Sequence, residues 1–381
     1  MVDQPHVVYA QQNTLMALGA PDATLEATDA SALAALPGQV AAAFENGIRF
    51  ACGLLPYECG TRLHRVSRAG GSAEESAKES ARAVARVWLY RHPPQSLSAV
   101  AAAAPFRLTE PFQAEQSREQ YRRALARIHA YLRAGDCYQV NYAQRFQARW
   151  QGQPLAAFLR LLAAHPAPHA CYLKVGDEAV FGVSPERFLR IESRRVTSEP
   201  IKGSRPRGRD AEEDRVLGEA LLAHPKDRAE NLMIVDLLRN DLGQFCQPGS
   251  IRAEPLFELR RFSNVQHLVS TVSGTLRDDV HPLAALIAAF PGGSITGAPK
   301  KRAMEIIHAL EPHPRGAYCG SFFHLDEHGT LDSNILIRTL QTDGDALYCH
   351  GGGGIVHDSD PDEEYAESLF KIEKLMKAID S

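Results

Sequence analysis

Residues 171–199, CYLKVGDEAVFGVSPERFLRIESRRVTSE, contain four short strand-like runs that are joined by tight turns. The runs occupy residues 171–175, 179–183, 187–191 and 195–199. Strands that follow one another after so few residues pair as antiparallel hairpins, because a parallel crossover needs a dozen or more connecting residues. This part of the chain therefore predicts an antiparallel sheet.

Helices and further strands are grouped on either side of these hairpins. Apolar residues at Tyr121, Leu125, Ile128 and Leu132 predict an amphipathic helix from Ser117 to Arg133. The alternation in DCYQVNYAQRF, residues 136–146, predicts a strand with a polar face suited to lining a pocket. We also expect helices near 211–223, 225–238, 282–289, 299–310 and from Pro361, and strands near 265–273, 318–324, 333–341 and 346–350.

The grouping of strands and helices predicts an α+β fold, a layered antiparallel β-sandwich with helices packed outside. We expect residues 1–110 to be a short N-terminal region that contributes to the sandwich, with a polar mobile loop at 61–82. Residues 111–381 form the region that carries the chemistry.

The composition excludes several classes of protein. A net charge of −4 does not favour nucleic acid or a membrane surface as a partner. The longest apolar run, Leu283–Phe290, is far shorter than the roughly 20 residues of a membrane span. We expect no secretory signal at the N-terminus. Seven cysteines without a C-x-x-C pair favour reduced, packed thiols in a cytoplasmic protein.

SEPIKGSRPRGR, residues 198–209, contains one lysine in a constrained position. Pro200 fixes its own φ and Gly203 frees the backbone, so Lys202 is expected in a turn or at a strand end. Arginines follow at 205, 207 and 209. Such a run is more often a solvated basic loop, and the alternative is an anion-binding segment.

Two predicted helices each carry acidic residues on one face. Asp227 and Glu230 are three residues apart, and Glu364, Glu367 and Lys371 have similar spacing in the last helix. Each group alone is more often an exposed face. Two acidic faces together would suit Mg²⁺, which takes carboxylate oxygens and leaves places for substrate oxygens.

Two glycine-rich segments are candidates for anion binding. CHGGGGIV, residues 349–356, places four glycines directly after a predicted strand, as either a flexible turn or a backbone nest. GGSITGAPKKR, residues 292–302, has the glycine spacing of a phosphate loop but Ala298-Pro299 where Lys-Ser/Thr should follow. We interpret it as a helix N-terminus with Pro299 in the first turn and N–H groups directed at an anion.

Glu186, in SPERF, ends a strand-like run sixteen residues before Lys202. From neighbouring strands, the carboxyl group and the amine could act as general acid and nucleophile. A solvent-facing ion pair is the simpler interpretation of these two residues alone.

Eight segments in chain order resemble the chorismate-utilising enzymes, a family that includes the anthranilate, aminodeoxychorismate, isochorismate and salicylate synthases. They lie within residues 115–377, roughly two-thirds of the chain, and read GDCYQVNYAQRF, SPERF, PIKGSRPRG, KDRAENLMIVDLLRNDLG, HLVSTVSGTL, FPGGSITGAPKKRAMEII, LDSNILIRTL and GGGGIVHDSDPDEEYAES. The family fold has the α+β architecture expected above.

One position separates the reactions within the family. PIKGS with Lys202 resembles the PIKGT of aminodeoxychorismate synthases, component I, whereas anthranilate synthases typically have PIAGT. The water-adding members have a lysine where this chain has Gln139. The resemblance implies conversion of chorismate and ammonia to 4-amino-4-deoxychorismate, for p-aminobenzoate and folate. The sequence shows no glutamine-amidotransferase module, so we expect ammonia from a separate glutaminase subunit or from solution.

The resemblance also implies roles for individual residues. Lys202 would attack ring C2 with Glu186 as general acid, and ammonia would then enter at C4 and expel the lysine. Partial burial and Arg205 would favour the neutral amine. Mg²⁺ would be held by Glu230 and Glu367, with Asp227 and Glu364 as further partners. The implied substrate-binding residues are Arg338, Tyr318, Gly352, Gly354, Gln139, Ser204, His267, Ser294 and Lys371.

The sequence departs from the family pattern at three positions. Ser204 replaces the usual threonine and keeps its hydroxyl. Asp227 stands where several relatives have glutamate, which shortens its reach to a metal. His357, in IVHDS, has no physical explanation.

Three alternatives stay open at this point. The chain could be an anthranilate synthase with an unusual lysine, although no tryptophan-feedback motif of the LLES type is visible. It could be a non-catalytic relative that binds chorismate or a partner. It could also be an Mg²⁺-dependent nucleotide enzyme, against which the interrupted phosphate loop counts.

Overall fold

The structure is a computed structural model that describes residues 5–12, 14–66, 84–97, 105–261 and 265–380. Most of the loop expected at 61–82 lies outside the described residues. Its first residues end a short helix. The division of the chain at residue 110 stays a prediction.

The strands of the described residues are mostly short. They are β1 (Val7–Gln11), β2 (Thr14–Leu18), β3 (Ala23–Ala27), β4 (Phe50–Leu55), β5 (Ala85–Tyr90), β6 (Gln95–Ser96), β7 (Arg107–Ala114), β8 (Gln139–Gln151), β9 (His169–Val175), β10 (Glu178–Ser184), β11 (Arg187–Glu192), β12 (Arg195–Ser198), β13 (Ile201–Pro206), β14 (Arg252–Ala253), β15 (Glu258–Arg261), β16 (Val265–Val269), β17 (Val272–Thr275), β18 (Gly297–Ala298), β19 (Ser321–Asp326), β20 (Leu331–Asn334), β21 (Thr339–Asp343) and β22 (Ala346–Ile355).

The helices lie between these strands and at the end of the chain. They are α1 (Ala30–Glu45), α2 (Tyr57–Leu63), α3 (Arg118–Arg133), α4 (Pro154–Ala164), α5 (Ala211–Ala223), α6 (Pro225–Gly243), α7 (Pro282–Ala289), α8 (Lys300–Leu310) and α9 (Pro361–Asp380), with a 3₁₀ turn at Gly293–Ile295. None of the helices in the described residues combines the length and the low polarity that a membrane span requires.

All strand pairs in the described residues are antiparallel, as the short turns predict. The first sheet has the order β18-β8-β22-β21-β10-β9-β1-β2-β6, with β7 also on β8. The second sheet has the order β14-β17-β12-β11-β20-β19-β4-β5-β3. A small third sheet has the order β13-β16-β15.

The two large sheets face each other across an aromatic layer. Tyr9 of the first sheet packs with Phe50, Trp88 and Phe322 of the second. Helices α4 and α9 pack against the first sheet, and α1 and α7 against the second. The predicted sandwich with helices outside is therefore confirmed.

Local sequence accounts for helix α3. Ser117 accepts a hydrogen bond from the Gln120 N–H at 3.2 Å, and the Gln120 side chain accepts one from the Ser117 N–H at 2.7 Å. This capping box satisfies two of the free donors at the helix start. Tyr121 and Leu125 are buried on the predicted face.

Several element predictions need correction. The strand expected at 265–273 is divided between the third sheet (β16) and the second (β17), and the strand expected at 333–341 between the second (β20) and the first (β21). The segment after β4 forms helix α2. Because the apolar pattern continues across each division, it gives no sign that the chain changes sheets.

Two of the crossings between the large sheets lie side by side. One joins β10 to β11 through Glu186, and the other joins β20 to β21 and ends at Arg338. The Val183 N–H donates to the Arg338 carbonyl at 3.1 Å, and the Ile335 N–H donates to the Glu186 carbonyl at 3.1 Å. Glu186 and Arg338 are therefore fixed close together at the junction of the sheets.

The packing behind β19 gives a test of the fold. Phe323 is fully buried, and its ring lies 2.7 Å from the place where a Cβ at Gly53 would be. We expect Phe323→Ala to lower the free energy of unfolding by about 3–5 kcal/mol, because the vacated volume cannot refill. Phe370→Ala, at a side chain that is 66% exposed, is the control and should change it by about 0.5 kcal/mol or less. Urea unfolding measures both, and equal effects would contradict the packing described.

Candidate active site

The carboxyl group of Glu186 is buried at the junction of the two large sheets. The Ser294 hydroxyl donates to Glu186 Oε1 at 2.8 Å. Burial raises the pKa of Glu186, and the Ser294 hydrogen bond and the charge of Lys202 only partly oppose the rise. A carboxyl group with a raised pKa can keep its proton near neutral pH and act as a general acid.

Lys202 lies on β13, at an irregularity in the pairing with β16. The register shifts between Ile201 and Ser204, and Gly203 between them has φ +79°. The Asp227 Cγ lies 2.9 Å from the place of a Cβ at Gly203, so both the backbone angle and the available space require glycine. The bulge holds Lys202 in a constrained position, in agreement with the prediction of a shaped strand end.

His267 lies across from this bulge on β16. Its Nδ1 is 2.8 Å from Ser204 Oγ, and it also bonds the backbone of Gly203. Burial and the charge of Arg338 lower the pKa of His267 to about 4. His267 is therefore a neutral hydrogen-bonding group beside the lysine at pH 7, with its ring orientation fixed from two sides.

The arginines that follow Lys202 are paired with carboxylates. Arg205 bonds Asp227 at 3.3 Å, Arg207 bonds Asp214 at 2.7 Å and Arg209 bonds Glu213 at 2.9 Å. Their charge is thus directed to α5 and α6. The basic run is mostly structural, and Lys202 is the cation of this segment that faces the candidate site.

Glutamates from α6 and α9 face each other beside Lys202. Burial raises the pKa of Glu230, and the negative charges of Asp227 and Glu367 reinforce the rise, while Lys202 and Lys226 oppose it. Burial also raises the pKa of Glu364, whose Oε1 accepts a 2.6 Å hydrogen bond from Ser359 Oγ. Although burial opposes it, the 2.7 Å ion pair with Lys371 lowers the pKa of Glu367. Glu367 thus interacts electrostatically with both Glu230 and Glu364.

The acidic set fits Mg²⁺ in part. Within the described residues, no group of three or more His, Cys, Asp or Glu side chains is arranged so that it could hold a metal ion. Mg²⁺ is usually held by one or two carboxylates together with substrate oxygens and water, so Glu230 and Glu367 would suffice, with Glu364 adjacent. Asp227 is less available, because it lies 3.3 Å from Arg205 and 2.9 Å from His224.

The glycines at 351–354 lie within a strand, which corrects the expectation of a turn after a strand. They belong to β22 and pair with β8, Gly351 with Gln144 and Gly354 with Asn141. On its other side β22 pairs with β21, and in the described residues this pairing ends at Cys349. Beyond Cys349, β22 therefore has no strand partner from β21. A Cβ at Gly353 would lie 3.2 Å from Glu364 and 3.3 Å from Lys371. The missing side chains therefore let α9 approach the strand.

Arg338 and Tyr318 are the next two predicted site residues. Arg338 has φ +52°, and burial lowers its pKa. Among the described side chains, none forms an ion pair with the Arg338 guanidinium, which leaves it available to an anionic ligand. The Tyr318 ring stacks on His350 with centroids 4.8 Å apart, and burial raises the pKa of its hydroxyl.

Gln139 is fully buried on β8 with both amide atoms unpaired in the described structure. Its amide lies 2.7 Å from the place of a Cβ at Gly354. A buried amide without partners is costly unless a ligand or water bonds it, so Gln139 is a candidate ligand contact. Lys371 donates to the Gly352 carbonyl at 3.0 Å and thereby ties α9 to the same strand.

Sequence reasoning missed three polar groups near the site. Lys226 lies 3.9 Å from Glu364, Lys300 and Asp241 form a buried pair at 2.8 Å, and Arg315 and Glu311 form another at 2.7 Å. The four-residue spacing of Glu311 and Arg315 was a signal for that pair. No local signal marked the other two, because their partners come from distant segments.

Comparison with known proteins identifies relatives of this chain. A family model described as chorismate binding enzyme matches residues 4–377. The aminodeoxychorismate synthase component 1 of Klebsiella aerogenes is 48% identical over 279 residues, which cover 73% of this chain and 62% of the relative. The anthranilate synthase component 1 of Thermus thermophilus is 43% identical over 269 residues, covering 71% of this chain and 58% of the relative.

The matches differ in how much of each relative they cover. This chain spans about three fifths of the length of the curated relatives above. The solved structure of the menaquinone-specific isochorismate synthase of Escherichia coli has a TM-score of 0.77 at 21% identity and covers 100% of this chain and 89% of that chain. That likeness confirms the fold.

The neutral state of His267 gives a pH-dependent prediction. Its pKa is 6.5 when exposed and about 4 in the folded chain, so the unfolded chain binds the additional proton between these values. The contribution of His267 to the free energy of unfolding is fully present above about pH 6.5 and is lost as the pH falls toward about 4. Between about pH 7 and pH 5 we expect the wild type to lose about 2 kcal/mol more unfolding free energy than His267→Asn. Urea unfolding at both pH values measures this, and parallel losses would contradict it.

Proposed function

This chain belongs to the family of chorismate binding enzymes, and on that basis we propose that it is the chorismate-aminating component of an aminodeoxychorismate synthase. It would convert chorismate and ammonia to 4-amino-4-deoxychorismate, which serves p-aminobenzoate and folate synthesis. The similarity to component 1 of the Klebsiella enzyme supports this choice.

The observation that carries the proposal is the position of Lys202 between Glu186 and the acidic pair. Its charge opposes the burial-driven rise in the pKa of Glu186 and of Glu230, and contributes to the lowered pKa of Glu367. One amine thus lies within electrostatic reach of a buried acid and of the two glutamates that would hold the cation. The resemblance of PIKGS to the aminating branch of the family concerns this same residue.

Chorismate is a dicarboxylate, and each carboxylate would have its own binding groups. Arg338 would bind the enolpyruvyl carboxylate, with the Tyr318 hydroxyl and the N–H groups of Gly352 and Gly354 nearby. The ring carboxylate would lie toward the glutamates of α6 and α9. Ser204 and His267 would line the pocket beside Lys202, and Gln139 and Lys371 would line it at β22.

Glu230 and Glu367 would hold Mg²⁺, with Glu364 and Asp227 as outer partners. When bound, the ion supplies positive charge for the ring carboxylate. Lys371 and Lys226 balance the remaining negative charge of the glutamates.

The reaction would proceed by two displacements. The neutral amine of Lys202 bonds to ring C2 while the C4–oxygen bond breaks, and Glu186 gives its proton to the departing hydroxyl, which leaves as water. Ammonia then bonds to C4 as the C2–nitrogen bond breaks and Lys202 leaves as a neutral amine. The new ammonium group returns one proton to Glu186, which restores the starting state.

Ammonia would come from a separate glutaminase subunit or from solution. The seven cysteines are buried and free, which fits a reducing compartment, and we place the protein in the cytoplasm.

Anthranilate synthesis is the second candidate, because a relative with that name is 43% identical. A non-catalytic chorismate-binding protein is a third. Identification of the product from chorismate, Mg²⁺ and ammonium by chromatography separates the three.

We expect Lys202→Ala to lower the rate of aminodeoxychorismate formation, with ammonium supplied, by about 1,000-fold or more, because the nucleophile is removed. Lys377→Ala, at an exposed lysine of α9 that pairs with Glu373, is the control and should keep the wild-type rate.

The same variants test the covalent step directly. Wild type incubated with chorismate and Mg²⁺ without ammonium should show a peptide containing Lys202 heavier by chorismate less one water, by mass spectrometry. A wild-type rate in Lys202→Ala would refute the covalent assignment.

Glu230→Gln tests the cation site. Loss of one carboxylate charge should raise the Mg²⁺ concentration for half-maximal activity about 10- to 100-fold. Calorimetric titration with Mg²⁺ gives the same comparison without turnover. Glu373→Gln changes a glutamate on α9 that pairs with Lys377 and should leave both values unchanged. If the two variants respond equally to Mg²⁺, Glu230 is not a ligand of the ion.

A further inference from the structure

A buried ion pair lies behind the candidate site. Arg315 and Glu311 are 2% and 7% exposed, and Arg315 Nη2 and Nε donate to the two oxygens of Glu311 at 2.7 and 2.9 Å. Burying two charges costs most of what their attraction gains, so such a pair contributes little stability by itself. The pair acts on the candidate site through the other hydrogen bonds that Arg315 and Glu311 make.

The pair joins the 3₁₀ turn after α7 to strand β8. Arg315 Nη1 donates to the Ile295 carbonyl at 2.9 Å, and Nη2 donates to the Asn141 carbonyl at 2.7 Å. Glu311 Oε1 accepts from the Ala143 N–H at 2.9 Å. A planar guanidinium can bond two carbonyls and a carboxylate together, which an ammonium cannot do in the same geometry.

The turn that Arg315 holds carries Ser294. The Ser294 carbonyl accepts from Asn141 Nδ2 at 3.3 Å, and its hydroxyl donates to Glu186 Oε1 at 2.8 Å. The direction of that hydroxyl depends on the backbone of the turn, because Ser294 and Ile295 are adjacent residues of the same 3₁₀ turn, Gly293–Ile295. A displacement of the Ile295 carbonyl would therefore move the hydroxyl away from Glu186.

We infer that Arg315, braced by Glu311, is a positioning residue that fixes the hydrogen bond from Ser294 to Glu186 and thereby sets how firmly the acid holds its proton. This inference rests on the proposed function for the role of the acid, and on the contacts above for the geometry. Arg315 itself touches no reacting atom.

The test compares Arg315→Lys with Ser294→Ala. Lysine keeps the charge opposite Glu311 but cannot hold both carbonyls. We expect kcat to fall about 10- to 100-fold with the KM for chorismate nearly unchanged, because the acid is misplaced while the carboxylate-binding groups stay. Arg145→Lys is the matched control. Arg145 lies on β8, the strand that Arg315 bonds through the Asn141 carbonyl, and pairs with a partly buried glutamate, Glu115.

A pH profile separates positioning from general destabilisation. The groups that face Glu186 are the Ser294 hydroxyl, the Lys202 amine and the Cys319 thiol. Without the Ser294 hydrogen bond the carboxyl group gains a proton more easily, so the alkaline limb of kcat should move up by roughly one pH unit in both variants. The double variant should shift no further than either single variant, and Arg145→Lys should not shift.

Infrared spectroscopy measures the protonation of Glu186 without turnover. The carboxyl band of Glu186, identified by its loss in Glu186→Gln, gives the protonation midpoint in each variant. If the wild type does not aminate chorismate but Arg315→Lys moves this midpoint up, the proposed function fails and the positioning role stands. If Ser294→Ala moves the midpoint and Arg315→Lys does not, the positioning role is refuted.

Circular dichroism and thermal unfolding show whether Arg315→Lys folds. If it does not, Glu311→Gln replaces it, since this variant keeps the guanidinium but weakens its brace. A smaller upward shift of the midpoint is then expected, and an unchanged midpoint overturns the inference.

Discussion

The paired crossings between the two large sheets are the constraint on which the site depends. Two hydrogen bonds tie the crossing at Glu186 to the crossing at Arg338. Ser184 Oγ adds a third bond, to the Ile335 carbonyl at 2.5 Å. These backbone bonds fix the segments that carry a buried acid, Glu186, and a partly buried cation, Arg338, relative to each other.

Charge around this junction is balanced locally. Lys202, Lys226 and Lys371 lie among Glu230, Glu364 and Glu367, and each lysine lowers the pKa of at least one of the glutamates. Burial acts in the opposite direction on all three. The pKa values of Glu230 and Glu364 are raised and that of Glu367 is lowered, as the balance of burial against the nearby lysines dictates.

Close approach of the backbone decides which side chains reach the site. Gly203 leaves space for Asp227, and Gly353 leaves space for Glu364 and Lys371. In both places a helix that bears carboxylates packs directly on a strand. The buried bonds of Arg315 have the same effect on the Ser294 turn. The two glycines and the Arg315 guanidinium thus each keep separate segments of the chain at a fixed short distance.

The sequence by itself determined the local elements and their order. The hairpins of 171–199, helices α3, α5 and α7 and the start of α9 agree with the apolar periodicity, because that periodicity depends on neighbours a few residues apart. The motifs also named Lys202, Glu186 and the acidic helices as candidates, and the structure brings these close together. Only the tertiary structure decided which sheet each strand joins, that the four glycines lie within β22, and that Arg205 turns to Asp227. It also decided that Arg315 holds the turn beside Glu186. These features depend on partners in other elements of the chain or on the space left between layers, and no local pattern encodes either.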